Sequence, residues 1–154
     1  MAVIVRAMER DDVETAVSIL IGGTLTPDAE RIDEGDAYWS AVAETRACLG
    51  EMLVAELDGV VVGICQVMIL RHFQHAGARC AEIESLHVRS DLRSRGIGAA
   101  LLREAEQLAR RVGCYRIQLT SRNVRTDAHR FYVTNDYEQN SQGFKKLLAD
   151  LDLS

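Results

Sequence analysis

The hexapeptide Arg93-Ser94-Arg95-Gly96-Ile97-Gly98 joins a strand-like run to a long amphipathic pattern. Upstream, Ala81-Glu82-Ile83-Glu84-Ser85-Leu86-His87-Val88 alternates apolar and polar positions as a half-buried strand does. Downstream, Ile97, Leu101, Ala105, Leu108 and Val112 recur at helical spacing and share one face. Strand, glycine turn and helix form one unit, and such a turn aims unpaired backbone N–H groups at an anion in front of it. Arg93 and Arg95 add positive charge, while Gly96 and Gly98 let the backbone approach a ligand with no side chain in the way. The arrangement predicts a site for a diphosphate. Solvated surface cations are the alternative for the two arginines, but their place at a Gly-x-Gly helix start favours ligand contact.

Two familiar diphosphate motifs fail on spacing. A Walker loop needs Lys followed by Ser or Thr after its last glycine, and Gly98 is followed by Ala99 and Ala100. A dinucleotide fold asks for a third glycine where Leu101 stands, and for an acidic residue ending a second strand. The spacing that is met is Arg93-x-x-Gly96-x-Gly98. Further on, Asn123 follows the next strand-like run, and Ala128-His129-Arg130-Phe131-Tyr132 lies in a short helical segment. With both patterns in this order, residues 81–138 resemble the GNAT superfamily of acyl-coenzyme A dependent N-acyltransferases. Outside that region the agreement is only in the order of elements.

The resemblance implies acetyl-CoA as cosubstrate. It places the pyrophosphate on the main chain of Arg93, Ser94, Arg95, Gly96, Ile97, Gly98 and Ala99, with Arg93 and Arg95 adding charge-assisted contacts. It pairs the pantetheine arm with the main chain of Leu86, His87 and Val88, leaving an amide near Leu86 to receive the thioester oxygen. Asn123 becomes a coenzyme or helix-positioning contact, where a plain loop Asn would be a turn former or cap. Tyr132 becomes the general acid, since a phenol is protonated at neutral pH. By spacing alone it would be a packed helical aromatic like Phe131. Family members often carry an acidic base on the strand, and Glu84 holds that place. Burial in an apolar strand would raise its pKa towards neutrality, and Glu82, two positions away on the same face, competes with it. No nucleophilic Ser or Cys is needed, because the amine attacks directly. The chain departs from the family where a glycine commonly precedes an aromatic after the Tyr helix. Here the run is Val133-Thr134-Asn135-Asp136-Tyr137, so Asn135 or Asp136 is expected to take the glycine's role.

At 154 residues, 47% hydrophobic and 27% charged, residues 1–154 read as a single domain with a substantial core, which the resemblance makes an N-acetyltransferase domain. A net charge of -5 argues against a general nucleic-acid binder. No apolar run reaches the roughly 20 residues that span a bilayer, and the first residues lack a basic segment followed by a hydrophobic one. A soluble cytoplasmic protein without membrane partners is expected. Cys48, Cys65, Cys80 and Cys114 lack metal-site or redox spacing and read as buried free thiols. His72 and His75 with Cys80 read as a polar loop, so no metal is assigned.

The remaining chain supplies the scaffold. Residues 2–8 read as a strand, and Asp11 or Asp12 is placed to cap a helix ending at Gly22 and Gly23. Pro27 opens a second helical stretch ending near Gly50, with Gly35 breaking or bending it. Asp58-Gly59 between apolar runs signals a tight hairpin. After a loop over 71–79 come the strand bearing Glu84, the long helix, a strand over 115–121, a short helix over 127–134 and a last strand over 143–148. The expected fold is α/β, a GNAT-like mixed and mostly antiparallel sheet flanked by helices, in the order β-α-α-β-β-β-α-β-α-β.

The acceptor is an amine of undefined identity. Asp28, Glu30, Asp33, Glu34 and Asp36 make the second helical region acidic, which would attract a cationic amine, although acidic clusters commonly serve only as solvated faces. A non-catalytic acyl-CoA sensor is the rival to the enzyme, and a nucleotide-binding protein is a third reading. The resemblance also allows a homodimer, which no heptad or exposed apolar run demands.

Overall fold

The computed structural model of the chain describes residues 2–149. Five strands form one sheet in the order β1-β2-β3-β4-β5: β1 (Val3–Ala7), β2 (Glu51–Leu57), β3 (Val60–Arg71), β4 (Arg79–Val88) and β5 (Cys114–Gln118). The first four pair antiparallel, and β5 lies parallel to β4. The helices are α1 (Val13–Gly23), α2 (Gly35–Ala47), a single turn α3 (Gln74–Gly77), α4 (Ile97–Arg111) and α5 (Thr126–Thr134). The mixed, mostly antiparallel sheet with flanking helices is the architecture expected from the sequence.

Strand alternation sends the apolar residues to two layers. Leu53, Val67, Ile83 and the fully buried Leu101 and Leu102 join β2, β3 and β4 to α4 on one face. Val54, Ile64, Val13, Val17 and Val42 join the other face to α1 and α2. Leu101, with no exposed surface, is a position where truncation to Ala costs about 2–5 kcal/mol. The hairpin closes at Asp58 and Gly59, whose φ of 52° and 79° give the two left-handed residues that match strand twist.

Several local expectations are corrected. Asp12 does not cap α1 with its side chain; its carboxylate accepts from the Arg6 guanidinium at 2.7 and 3.0 Å and from the Glu9 N–H at 2.7 Å. An ion pair plus a turn donor outcompetes the helix N–H for the same oxygens. Pro27 opens only a short 3-10 turn (Pro27–Ala29), and the stretch is broken before Gly35, where α2 begins. The strand expected over 143–148 does not form: these residues carry no strand assignment and Phe144, Leu147 and Leu148 stay exposed. The described sheet ends at β5, leaving them no ladder to join. Of the four cysteines, all free, Cys65 and Cys80 are buried whereas Cys114 is half-buried and Cys48 exposed.

Candidate active site

The parallel pairing of β4 to β5 covers Arg79 to Glu82 and stops at the Glu82–Gln118 rung, six residues before β4 ends at Val88. A β-bulge follows at once. Ile64 and Gln66 of β3 face His87 and Glu84, so one extra residue is accommodated at Ser85-Leu86, and Ser85 takes φ 50°. Bulges re-aim a strand and are common beside reacting centres. Among the described residues, the part of β4 bearing Leu86, His87 and Val88 therefore has no strand on its β5 side, and an extended ligand could pair there.

The glycine turn opens at one end of α4. Ser94 and Gly96 have φ 64° and 83°, and Gly96 is the N-cap with no capping side chain, so the first-turn N–H groups of Ile97, Gly98 and Ala99 face outward unpaired. A Cβ on Gly96 would meet nothing within 4 Å, which makes its backbone angle the reason for glycine there. Gly98 has a different reason: a Cβ would stand 3.1 Å from the Phe131 ring, so this glycine lets α5 dock on α4. Arg93, Ser94 and Arg95 are exposed, and neither arginine forms an ion pair among the described residues. Uncapped donors and unpaired cations fit a diphosphate.

Two carboxylates were inseparable by sequence, and the structure separates them. Glu82 accepts a hydrogen bond from the Gln118 carboxamide at 2.7 Å. Glu84 makes none within the described chain. Glu84 is exposed on β4, not buried in the strand as the sequence suggested, and only partial desolvation raises its carboxyl pKa; the Glu82 carboxylate raises it further and Lys145 pulls it back. Glu84 stands opposite Gln66 in register and so shares its face, which looks towards α1 and α2.

Tyr132 reaches the same region from the α4 face, packed with Phe131 at 5.2 Å and Tyr137 at 6.0 Å between ring centres. Its hydroxyl makes no hydrogen bond within the described chain, and its pKa is pushed up to about 12, chiefly by burial, with smaller contributions from Cys65 and Glu84 against Arg125. The end of α5 that bears it is closed by Asp136 at φ 69°, with Tyr137 N–H donating to the Tyr132 carbonyl at 3.0 Å and Asp136 N–H to Val133 at 3.1 Å. This is a Schellman ending, so Asp136, and not Asn135, takes the glycine's place.

His87 lies under the end of α1, against Gly23, and its pKa is lowered to about 4 by burial and by Arg125 and Arg93. Arg125 donates to the Gly23 carbonyl at 2.8 Å. Asn123 is exposed in the β5–α5 loop and makes no hydrogen bond within the described chain. Sequence reading passed over Ser85 and Ser121. Ser121 holds a buried hydroxyl with no partner, just past β5, and neither serine carries a motif signal. His72, His75 and Cys80 do not converge: His72 bonds the Tyr115 hydroxyl at 2.9 Å and His75 stacks on its ring at 4.3 Å, and no group of three metal-ligating side chains exists among the described residues. No described helix is long and apolar enough to cross a membrane.

Residues 22–136 match the family model described as Acetyltransferase (GNAT) family, and the chain belongs to that family. An aminoalkylphosphonate N-acetyltransferase of Salmonella typhimurium is 37% identical over 91 residues, covering 59% of this chain and 58% of that enzyme. A Bacillus halodurans structure titled a transcriptional regulator is 30% identical with TM-score 0.87, covering 96% of this chain and 100% of that one. A Trypanosoma brucei acetyltransferase, at 23% identity and TM-score 0.79 over 96% of this chain and 100% of its own, shares the fold.

Proposed function

We propose that the chain is a single N-acetyltransferase domain that moves an acetyl group from acetyl-CoA to a primary amine by direct attack. The observation that carries this reading is the loss of β4–β5 pairing after Glu82, beside a helix start whose donors are uncapped. Bound acetyl-CoA supplies an activated thioester carbonyl. The main chain of Leu86, His87 and Val88 holds the pantetheine arm, with the Leu86 amide preorganised for negative charge on the carbonyl oxygen. Residues 93–99 hold the pyrophosphate, and Asn123 assists. Glu84 takes the proton that the amine sheds, because its raised pKa and freedom from hydrogen bonds suit a base. Tyr132 protonates the departing sulfur; a hydroxyl that stays protonated and is not spent on another residue can do so.

Thermal unfolding with coenzyme A, acetyl-CoA and ATP tests the binding half, because a ligand of the folded state raises the midpoint. Shifts with the two coenzymes and none with ATP are expected; no coenzyme shift overturns the reading, and an equal ATP shift favours a nucleotide binder. Release of free thiol with an amine panel tests the chemistry. The second reading, a non-catalytic acyl-CoA-binding module, draws on the Bacillus halodurans relative being named a transcriptional regulator. It predicts coenzyme binding without thiol release from any amine.

A further inference from the structure

Between the sheet and helices α1 and α2 lies a cavity of about 250 Å³. We propose that it receives the body of the acceptor, and that the acceptor is a small primary amine with an apolar body and no anionic group. This rests on the acetyl-transfer reading for the reaction but on the cavity alone for the binding. Its walls are mostly apolar, with Val13, Val17 and Leu20 from α1, Val42 from α2 and Met52 and Ile64 from the sheet. A dry cavity of ~150 Å³ holds a benzene ring, so this one has room for a ring and a short arm.

The polar lining restricts charge. It consists of Glu30, Tyr38, Thr45, Gln66 and Ser85, with no Lys, Arg or His side chain. Gln66 donates to the Thr45 hydroxyl at 3.0 Å, and Thr45 donates to the Ala41 carbonyl at 2.8 Å, so these two are committed to each other and to α2. The Tyr38 hydroxyl donates to the Glu30 carboxylate at 2.6 Å and accepts from the Arg31 N–H at 2.9 Å. That fixes one negative charge in the wall. Arg31 is near, but its guanidinium donates to the carbonyls of Asp28 and Glu30. A phosphonate, phosphate or carboxylate placed here would lose water beside Glu30 with no cation lining the cavity to compensate. An amine would not.

The cavity also meets the reacting end of β4. Ser85 lines it, sits at the bulge beside Leu86 and makes no hydrogen bond within the described chain. An amine nitrogen held near Ser85 leaves its apolar body pointing under α1.

Calorimetric titration of the full chain with phenethylamine, its ring-carboxylated analogue and aminoethylphosphonate tests the proposal without need of turnover. Phenethylamine should bind at least about tenfold more tightly than either anionic compound. Ala41→Phe, at an exposed position on the cavity's rim, should weaken phenethylamine by at least about tenfold and leave coenzyme A binding unchanged. Glu30→Gln should shrink the gap between phenethylamine and the carboxylated analogue. Equal or tighter binding of the anionic compounds, no phenethylamine binding, or indifference to Ala41→Phe overturns the proposal. Failure of coenzyme A to bind while phenethylamine binds sinks the acetyl-transfer reading and leaves the cavity assignment standing.

Discussion

The Gln118 carboxamide donates to the Glu82 carboxylate at 2.7 Å across the last rung that β4 and β5 share, while Glu84, two residues beyond that rung, has no hydrogen bond among the described residues. The same pairing that holds the two strands together thus distinguishes two carboxylates that share a face. Glu84→Gln should lower turnover by about 10²-fold or more, the range expected for a lost general base, with coenzyme affinity retained. Glu82→Gln should leave turnover within a few fold and cost about 1 kcal/mol in unfolding free energy. Steady-state kinetics beside denaturant unfolding separate the two; a larger turnover loss for Glu82→Gln would reverse the assignment.

A base at Glu84 would also fix a pH dependence. Partial desolvation and the Glu82 charge raise the Glu84 pKa, so its carboxylate form appears only as pH climbs through a value above the ordinary one for Glu. The kcat/KM profile should therefore rise with pH over that displaced range, and Glu84→Gln should remove this limb. A limb that persists in the variant belongs to another group.

Tyr132 has an unspent hydroxyl and an apolar packing role in one side chain. Tyr132→Phe should keep the packing, hold the thermal midpoint within a few degrees and preserve the coenzyme-induced shift. Turnover should fall by about 10²-fold. Unchanged turnover would make Tyr132 only a packing residue.

The two glycines of the turn should respond differently. Gly96→Ala places a Cβ in open space but at φ 83°, at a cost of about 1–2 kcal/mol. Gly98→Val drives a larger side chain at Phe131 and should cost about 1–3 kcal/mol by overpacking while displacing the neighbouring Tyr132. Unfolding free energies and turnover of both variants check this; loss of turnover only in Gly96→Ala would contradict the docking role of Gly98.

His87 makes the fold sensitive to acid. Its folded pKa of about 4 lies below the ordinary His value of about 6.5, so folding is favoured by the neutral form above the upper value. Stability should decline as pH falls from about 6.5 towards 4, by up to roughly 3 kcal/mol. His87→Asn should flatten that decline in urea unfolding at a series of pH values.

Periodicity and turn chemistry are local, and what depended on them was legible in the residues alone: the glycine turn before α4, the Asp58-Gly59 hairpin and the α/β class. Which residue ends α5 was open between Asn135 and Asp136 until the backbone put Asp136 at φ 69°. The different hydrogen bonding of Glu82 and Glu84 was also hidden, because period-two spacing places both on one face and says nothing of where β5 stops. That is set by the Glu82–Gln118 rung, a contact across 36 positions. Likewise the close packing of Gly98 against Phe131, far along the chain, exists only in the folded molecule. The cavity under α1 and α2 could not be read at all, since residues from four elements and the bulge at Ser85 line it. Local sequence determined the elements and their order, whereas relations between elements distant in sequence were decided by packing, because only the folded chain settles which groups lose water and which gain partners.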